Sequence, residues 1–172
     1  AGLPEKMLEQ SRPVLTFSTG DTGKYPVAIT PQLQIGSAVF PLGTTITVKH
    51  TKSLTAKQVE ESATLAFSNL QKGLTSVEEM LQIQLKHPYA VFVKAASKTG
   101  ITTKAKGAIT AVLENFKDNF IQDVDDITAF DVYYSICEIQ HYDEYSELKS
   151  ATKLQVMEAL NRLIQIDWEA ID

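Results

Sequence analysis

The sequence predicts an α+β fold: an N-terminal antiparallel β region followed by amphipathic helices interleaved with two further strands, in a single domain over residues 1–172. Three observations carry this. Short runs rich in β-branched residues and punctuated by Gly and Pro fill the first fifty positions. From Thr55 onward apolar residues recur at helical spacing. Two later runs, Tyr89–Ala95 and Ala129–Ile139, are apolar on both faces or heavily β-branched and aromatic, the pattern of a buried strand. A β-rich start followed by mixed elements is the order of an α+β chain.

The first segment, Pro4 to Gln10, is polar and predicts a capping arm of one or two helical turns. Pro13 opens a β run, Val14–Ser18, with Leu15 and Phe17 on one side, and Gly20-Asp21-Thr22-Gly23 supplies the positive φ of a tight turn. Val27–Thr30 is cut by Pro31 and resumes as Gln32–Ile35; because Pro26 and Pro31 remove ladder donors, this strand is predicted at a sheet edge. Ala38–Phe40, the turn Pro41–Gly43 and the Thr-rich Thr44–Lys49 read as a hairpin.

In the helical part, Val59, Ala63, Ala66 and Leu70 form a stripe that ends at Gly73 as a C-terminal cap. Ser76 with Glu79 fits a capping box, which predicts a new helix over 76–86. Tyr89–Ala95 reads as a strand, with a helix starting at Pro88 as the alternative. The clearest helix is 104–121, where Ile109, Val112, Leu113, Phe116 and Phe120 share one face. Five such side chains, at roughly 1.5–3 kcal/mol each, place this helix across the main core. Ala129–Ile139 reads as the longest strand, and Leu148–Ile166 closes the chain as a helix with Ala151, Met157, Leu160, Leu163 and Ile164 inward.

The net charge of −5 is unevenly distributed. Residues 22–113 hold ten Lys against four acids, whereas 114–172 hold four bases against fourteen acids. A folded chain of this kind either compensates internally or presents two oppositely charged faces, which favours head-to-tail contacts or a charged partner. The single cysteine, Cys137, excludes an internal disulfide and thiolate-rich zinc sites. The longest apolar run, Tyr89–Val93, is far short of the ~20 residues that span a bilayer, so the chain is read as soluble. No signal-peptide pattern opens it, and a start at Ala1 leaves room for a removed leader, so the compartment stays open.

Motifs for catalysis are absent or broken. Gly20–Lys24 resembles a phosphate loop, but Ser18 stands where the first Gly belongs and Tyr25-Pro26 follow the lysine. Asp21-Thr22-Gly23 has no second Asp-Thr/Ser-Gly to complete an aspartic dyad. His50, His87 and His141 are scattered, no elbow such as GxSxG offers a nucleophile, and Cys137 sits among apolar neighbours. No cofactor is expected. Asp123, Asp125 and Asp126, with Glu138, His141, Asp143 and Glu144 further on, are oxygen and nitrogen donors, but their spacing matches no cation loop, and a solvated acidic connector is the simpler reading.

The candidate interaction residues are therefore charged or tyrosine-based. Lys94, Lys98, Lys104 and Lys106 lie in a stretch with no acid between Glu79 and Glu114. Asp123, Asp125, Asp126, Tyr142, Asp143, Glu144 and Tyr145 form an acidic, tyrosine-bearing counterpart of the kind common at protein interfaces. The lysine stretch has no arginine and few free aromatics, which argues against nucleic acid. The function expected is a non-enzymatic structural or protein-binding domain, within a larger assembly or self-associating through its charged faces. The alternatives are binding of anionic lipid through the 104–121 helix, and a small-ligand or metal-dependent enzyme whose site is dispersed in sequence.

Overall fold

A computed structural model describes residues 11–18, 27–35, 38–43, 46–48, 55–120 and 126–172. The predicted N-terminal arm, the Gly20–Gly23 turn, Asp123 and Asp125 lie outside the described residues. The α+β class holds: an antiparallel sheet comes first and helices follow. The described residues group into two compact units, one within Gln10–Thr75 and one within Ser76–Asp172.

In the first unit, β1 (Arg12–Ser18), β2 (Val27–Ile35), β3 (Ala38–Pro41) and β4 (Ile46–Val48) form one sheet. β2 is its centre, not its edge, pairing with β1 along its whole length and with β3 and β4 on the other side. Pro31 is tolerated there for a local reason. β4 pairs with residues 27–29 and β3 with residues 32–35, so Pro31 faces the gap between them, where Leu42 N–H donates to its carbonyl at 2.9 Å. A strand residue's N–H and C=O point the same way, so the missing donor also falls in that gap. β3 and β4 flank the same side of β2 and do not pair with one another, which corrects the predicted hairpin.

The long helix α1 (Ala56–Gln82) opens with a reciprocal cap. Gln58 N–H donates to Thr55 Oγ1 at 3.1 Å and Thr55 N–H donates to Gln58 Oε1 at 3.0 Å. Its residues 56–75 belong to the first unit and 76–82 to the second. Gly73 therefore caps nothing and no helix begins at Ser76; the chain runs helically through both. Gly73 is needed for close packing instead, because a Cβ there would lie 1.9 Å from the Leu42 carbonyl oxygen. Ala66 and Leu70 are buried as predicted, Ala66 against Ile29 and Ile46, but Val59 is half exposed.

The described residues of the second unit are mainly helical: α2 (Pro88–Thr99), α3 (Ile101–Lys104), α4 (Lys106–Asn119), α5 (Ala129–Cys137) continued by a 3-10 turn (Glu138–His141), α6 (Asp143–Ser146), and α7 (Ser150–Arg162) continued by a second 3-10 turn (Leu163–Gln165). The two predicted late strands are thus α2 and α5. Pro88 stands in the first turn of α2, where a missing N–H costs nothing. α5 is capped by Thr128 and Asp131, Thr128 N–H donating to Asp131 Oδ2 at 2.8 Å and Asp131 N–H to Thr128 Oγ1 at 3.3 Å. Ala129, Phe130, Val132, Tyr133, Ile136 and Cys137 are all buried, and Tyr134 and Ser135 are half-buried, so this short helix carries few exposed polar residues to mark an outer face. Among the described residues of this unit the extended pairing is a bridge between Gln84 and Thr128, with Leu85 N–H donating to Ile127 O and Ala129 N–H to Ile83 O.

The core of this unit gathers on α4. Ile109, Val112 and Phe116 are buried as the spacing predicts; Phe120 caps the helix and is half-buried. Phe116 stacks on Phe92 at 5.3 Å between centroids, meets Tyr89 edge-on at 5.7 Å and lies 4.9 Å from Phe120. The predicted 104–121 helix is broken once, at Ala105, which separates α3 from α4. In α7, Val156, Ala159 and Leu160 are buried, with Leu163 just beyond, whereas Ala151 is exposed.

α2 is fastened at both ends. Gly100, at φ 84°, closes its C-terminus, its N–H reaching back to Ala96 O and Ser97 O. At the start, Lys86 N–H and His87 N–H donate to the Asp172 carboxylate at 2.9 Å each, and His87 Nδ1 is 3.6 Å away. Burial pushes the Asp172 carboxyl up, but these two N–H groups, with His87 and Lys86 nearby, outweigh it and hold it below the ordinary carboxylate value. A carboxyl depressed in the folded state stabilises fully above its unfolded pKa and ceases to do so as pH falls through the lower folded one. Asp172→Asn is therefore expected to cost about 1–2 kcal/mol at neutral pH. Thermal melts of the two proteins should converge in strong acid.

Candidate interaction surface

The structure places three of the predicted lysines at successive helix termini and sets an arginine beside one of these termini. Lys98 stands in the last turn of α2, Lys104 ends α3 and Lys106 begins α4; all three are exposed. Arg162, at the end of α7, donates from Nη1 to the Thr99 carbonyl at 3.0 Å, which sets it beside the C-terminus of α2. A cation there complements the helix dipole. None of these four has a described carboxylate within ion-pairing distance. Lys94 is exposed but tied down, its Nζ donating to Ile171 O at 3.1 Å.

The acidic and tyrosine residues lie on α6 and just before it, and α6 packs against α4. The Tyr142 phenol lies beside the Asn115 side chain, and Asn115 is nine residues from Lys106, about 14 Å along a helix axis. Burial raises the Tyr142 phenol above its ordinary value; the Asn115 bond opposes this, and Glu138 and Glu144 add to it. Tyr145 is half-buried, its phenol also raised by burial, with Lys153 Nζ 5.8 Å from its ring centroid. Asp143 and Glu144 are exposed on α6, which packs against α4. Residues 138–147 hold four acids and no Lys or Arg. The Tyr134 phenol is pushed up to about 12 by burial and by Glu138. Asp126 is exposed at the approach to α5.

Pairing across the two groups is lacking among the described residues. The ion pairs are local, Lys117 with Glu114 and Lys57 with Glu61, or belong to the Asp172 clasp. By unit, Gln10–Thr75 carries six bases and three acids and Ser76–Asp172 nine bases and sixteen acids.

The catalytic readings gain no support from side-chain placement. Cys137 is fully buried and its thiol is pushed up by burial, with a Tyr133 hydrogen bond opposing and Glu138 adding, which removes the thiolate a nucleophile needs. Among the described residues no three His, Cys, Asp or Glu side chains converge as ligands of a cation would. No described helix is long and apolar enough to cross a membrane, and the apolar face of α4 is packed in the core rather than displayed to lipid.

A separate feature escaped sequence reading. Residues 76–83 and 164–169 enclose a cleft of about 530 Å³ that includes Trp168 and the carboxylates Glu79, Asp167 and Glu169. Its halves lie more than eighty residues apart, and no local pattern announces it. No protein-family model, no curated protein and no solved structure matches the chain.

Proposed function

We propose that this chain is a non-catalytic protein-binding domain that associates, with a partner or with further copies of itself, through oppositely charged surface groups. The observation that carries this reading is that Lys98, Lys104 and Lys106, at the termini of α2, α3 and α4, and Arg162, beside the C-terminus of α2, are exposed with no described ion pair, while Asp143 and Glu144 are exposed between Tyr142 and Tyr145 on the segment that packs against α4. Unpaired surface charge of one sign steers association and fixes register more than it stabilises a fold. The tyrosines beside the acids add amphipathic contact area at low entropic cost.

The test is assembly against salt. Light scattering is expected to give a mass above the 19.0 kDa of one chain at low salt that falls at high salt, or a salt-elutable partner is expected on an affinity column of the protein. A 19.0 kDa species at both salt levels together with no retained partner contradicts the proposal.

A further inference from the structure

Residues 167–172 form a plug that keeps its own shape. Ile171 N–H donates to Asp167 O at 3.3 Å, Asp172 N–H to Glu169 O at 3.4 Å and Ala170 N–H to the Asp167 carboxylate at 3.2 Å, so the turn is closed by bonds within itself. Its hold on the rest of the unit is of another kind. Trp168 and Ile171 are buried, Asp172 accepts from Lys86 N–H and His87 N–H at 2.9 Å each, and the Ile171 carbonyl accepts from Lys94 Nζ at 3.1 Å. Those three donors fall within Lys86–Lys94, and Trp168 shares a cleft with Met80 and Ile83. The socket is thus one stretch of chain, the end of α1 and the start of α2.

The tether between α7 and this plug is short. Leu163–Gln165 is a 3-10 turn, Ile166 is extended at φ −71° and ψ 138°, and the plug's internal bonds begin at Asp167. A turn about Ile166 swings the plug clear with those internal bonds intact, and the socket of a second copy offers it the same contacts as its own. A preformed element on a short hinge, with identical contacts within and between chains, is the condition for exchange between copies. We infer that the plug exchanges between two copies of this chain, each seating its Trp168, Ile171 and Asp172 in the other's socket at Lys86–Lys94. The occupant is a second copy because the sequence seen to fit this socket is the chain's own. Exchange goes beyond the charge-driven association proposed above. Its buried anchors hold at high salt, where attraction between surface charges is screened, so either reading can fail without the other.

The test mixes unlabelled and 15N-labelled protein at high salt and joins touching amines and carboxylates with a carbodiimide. Lys94 is bonded to the plug and the charge of Lys86 acts on the Asp172 carboxylate, so linked peptides pairing Lys86 or Lys94 with Asp172 are expected. Pairs carrying one label from each chain should appear among them, and their share should rise with protein concentration. A Gly-Ser-Gly-Ser insertion between Gln165 and Ile166 lengthens the tether, lets each plug return to its own socket and should lower the mixed share about fivefold or more. Same-label pairs in that variant show that its plug is seated. Same-label pairs alone in the wild type, or no linked pair, overturn the inference. So does a mixed share that the insertion leaves unchanged, which marks a side-by-side contact instead of exchange.

Discussion

Replacing Gly73 by alanine is expected to destabilise the Gln10–Thr75 unit by about 3 kcal/mol, the upper range for overpacking in a core. The added Cβ would lie 1.9 Å from the Leu42 carbonyl oxygen, 2.8 Å from its carbon and 2.9 Å from the Leu42 Cβ. Two of those three atoms are backbone, so no rotamer change relieves the clash. Leu42 is fully buried, and its N–H is bonded to Pro31, which restricts retreat toward the sheet. Alanine's better helix propensity opposes the loss, but by only about 1 kcal/mol. Urea denaturation followed by circular dichroism checks this; a variant as stable as the wild type would mean that α1 does not pack this closely on the β3–β4 connection.

Phe116→Ala is expected to cost about 3–5 kcal/mol, the usual range for removing a buried ring. Phe116 is the shared member of three ring contacts, with Tyr89, Phe92 and Phe120, so its loss leaves a cavity bordered by rings from α2 and α4 that cannot close without moving both helices. Leu154→Ala is the matched control: Leu154 is 67% exposed, and its loss should stay within about 0.5 kcal/mol. Equal effects of the two substitutions in urea titrations would contradict the assignment of α4 as the centre of the core.

What the sequence made readable was the elements that bury one face. α4 showed itself because Ile109, Val112 and Phe116 go inward while Glu114, Lys117 and Asp118 go to solvent. α5 did not, because Phe130, Val132, Tyr133 and Ile136 are buried and their β-branched and aromatic character imitates a strand. The usable signal lay in its first turn, in the N-cap Thr128 and Asp131 three residues on. Gly73 and Ser76 misled in the opposite direction: their letters fit a helix stop and start, but the packing against Leu42 that requires the glycine is a contact thirty-one residues distant. Pro31 is comparable, since its tolerance depends on where β3 and β4 end. For the candidate surface, the lysine run was visible as a run. Arg162 and the Trp168 cleft were not, because each depends on segments far apart in the chain.

Charge reversal at the lysine end tests the central claim most directly. Lys98, Lys104 and Lys106 are exposed and lack described ion pairs; an acid at Lys106 suits the N-terminal dipole of α4, whereas acids at Lys98 and Lys104 oppose the C-terminal dipoles of α2 and α3 by about 0.3–1 kcal/mol each, so Lys98→Glu/Lys104→Glu/Lys106→Glu should stay folded with a loss of at most about 2 kcal/mol. Sedimentation velocity at low salt is expected to show the wild-type complex, with itself or with its partner, and its loss in the triple variant. A folded triple variant that assembles as the wild type does, with the same salt dependence, would contradict an association driven by these charges.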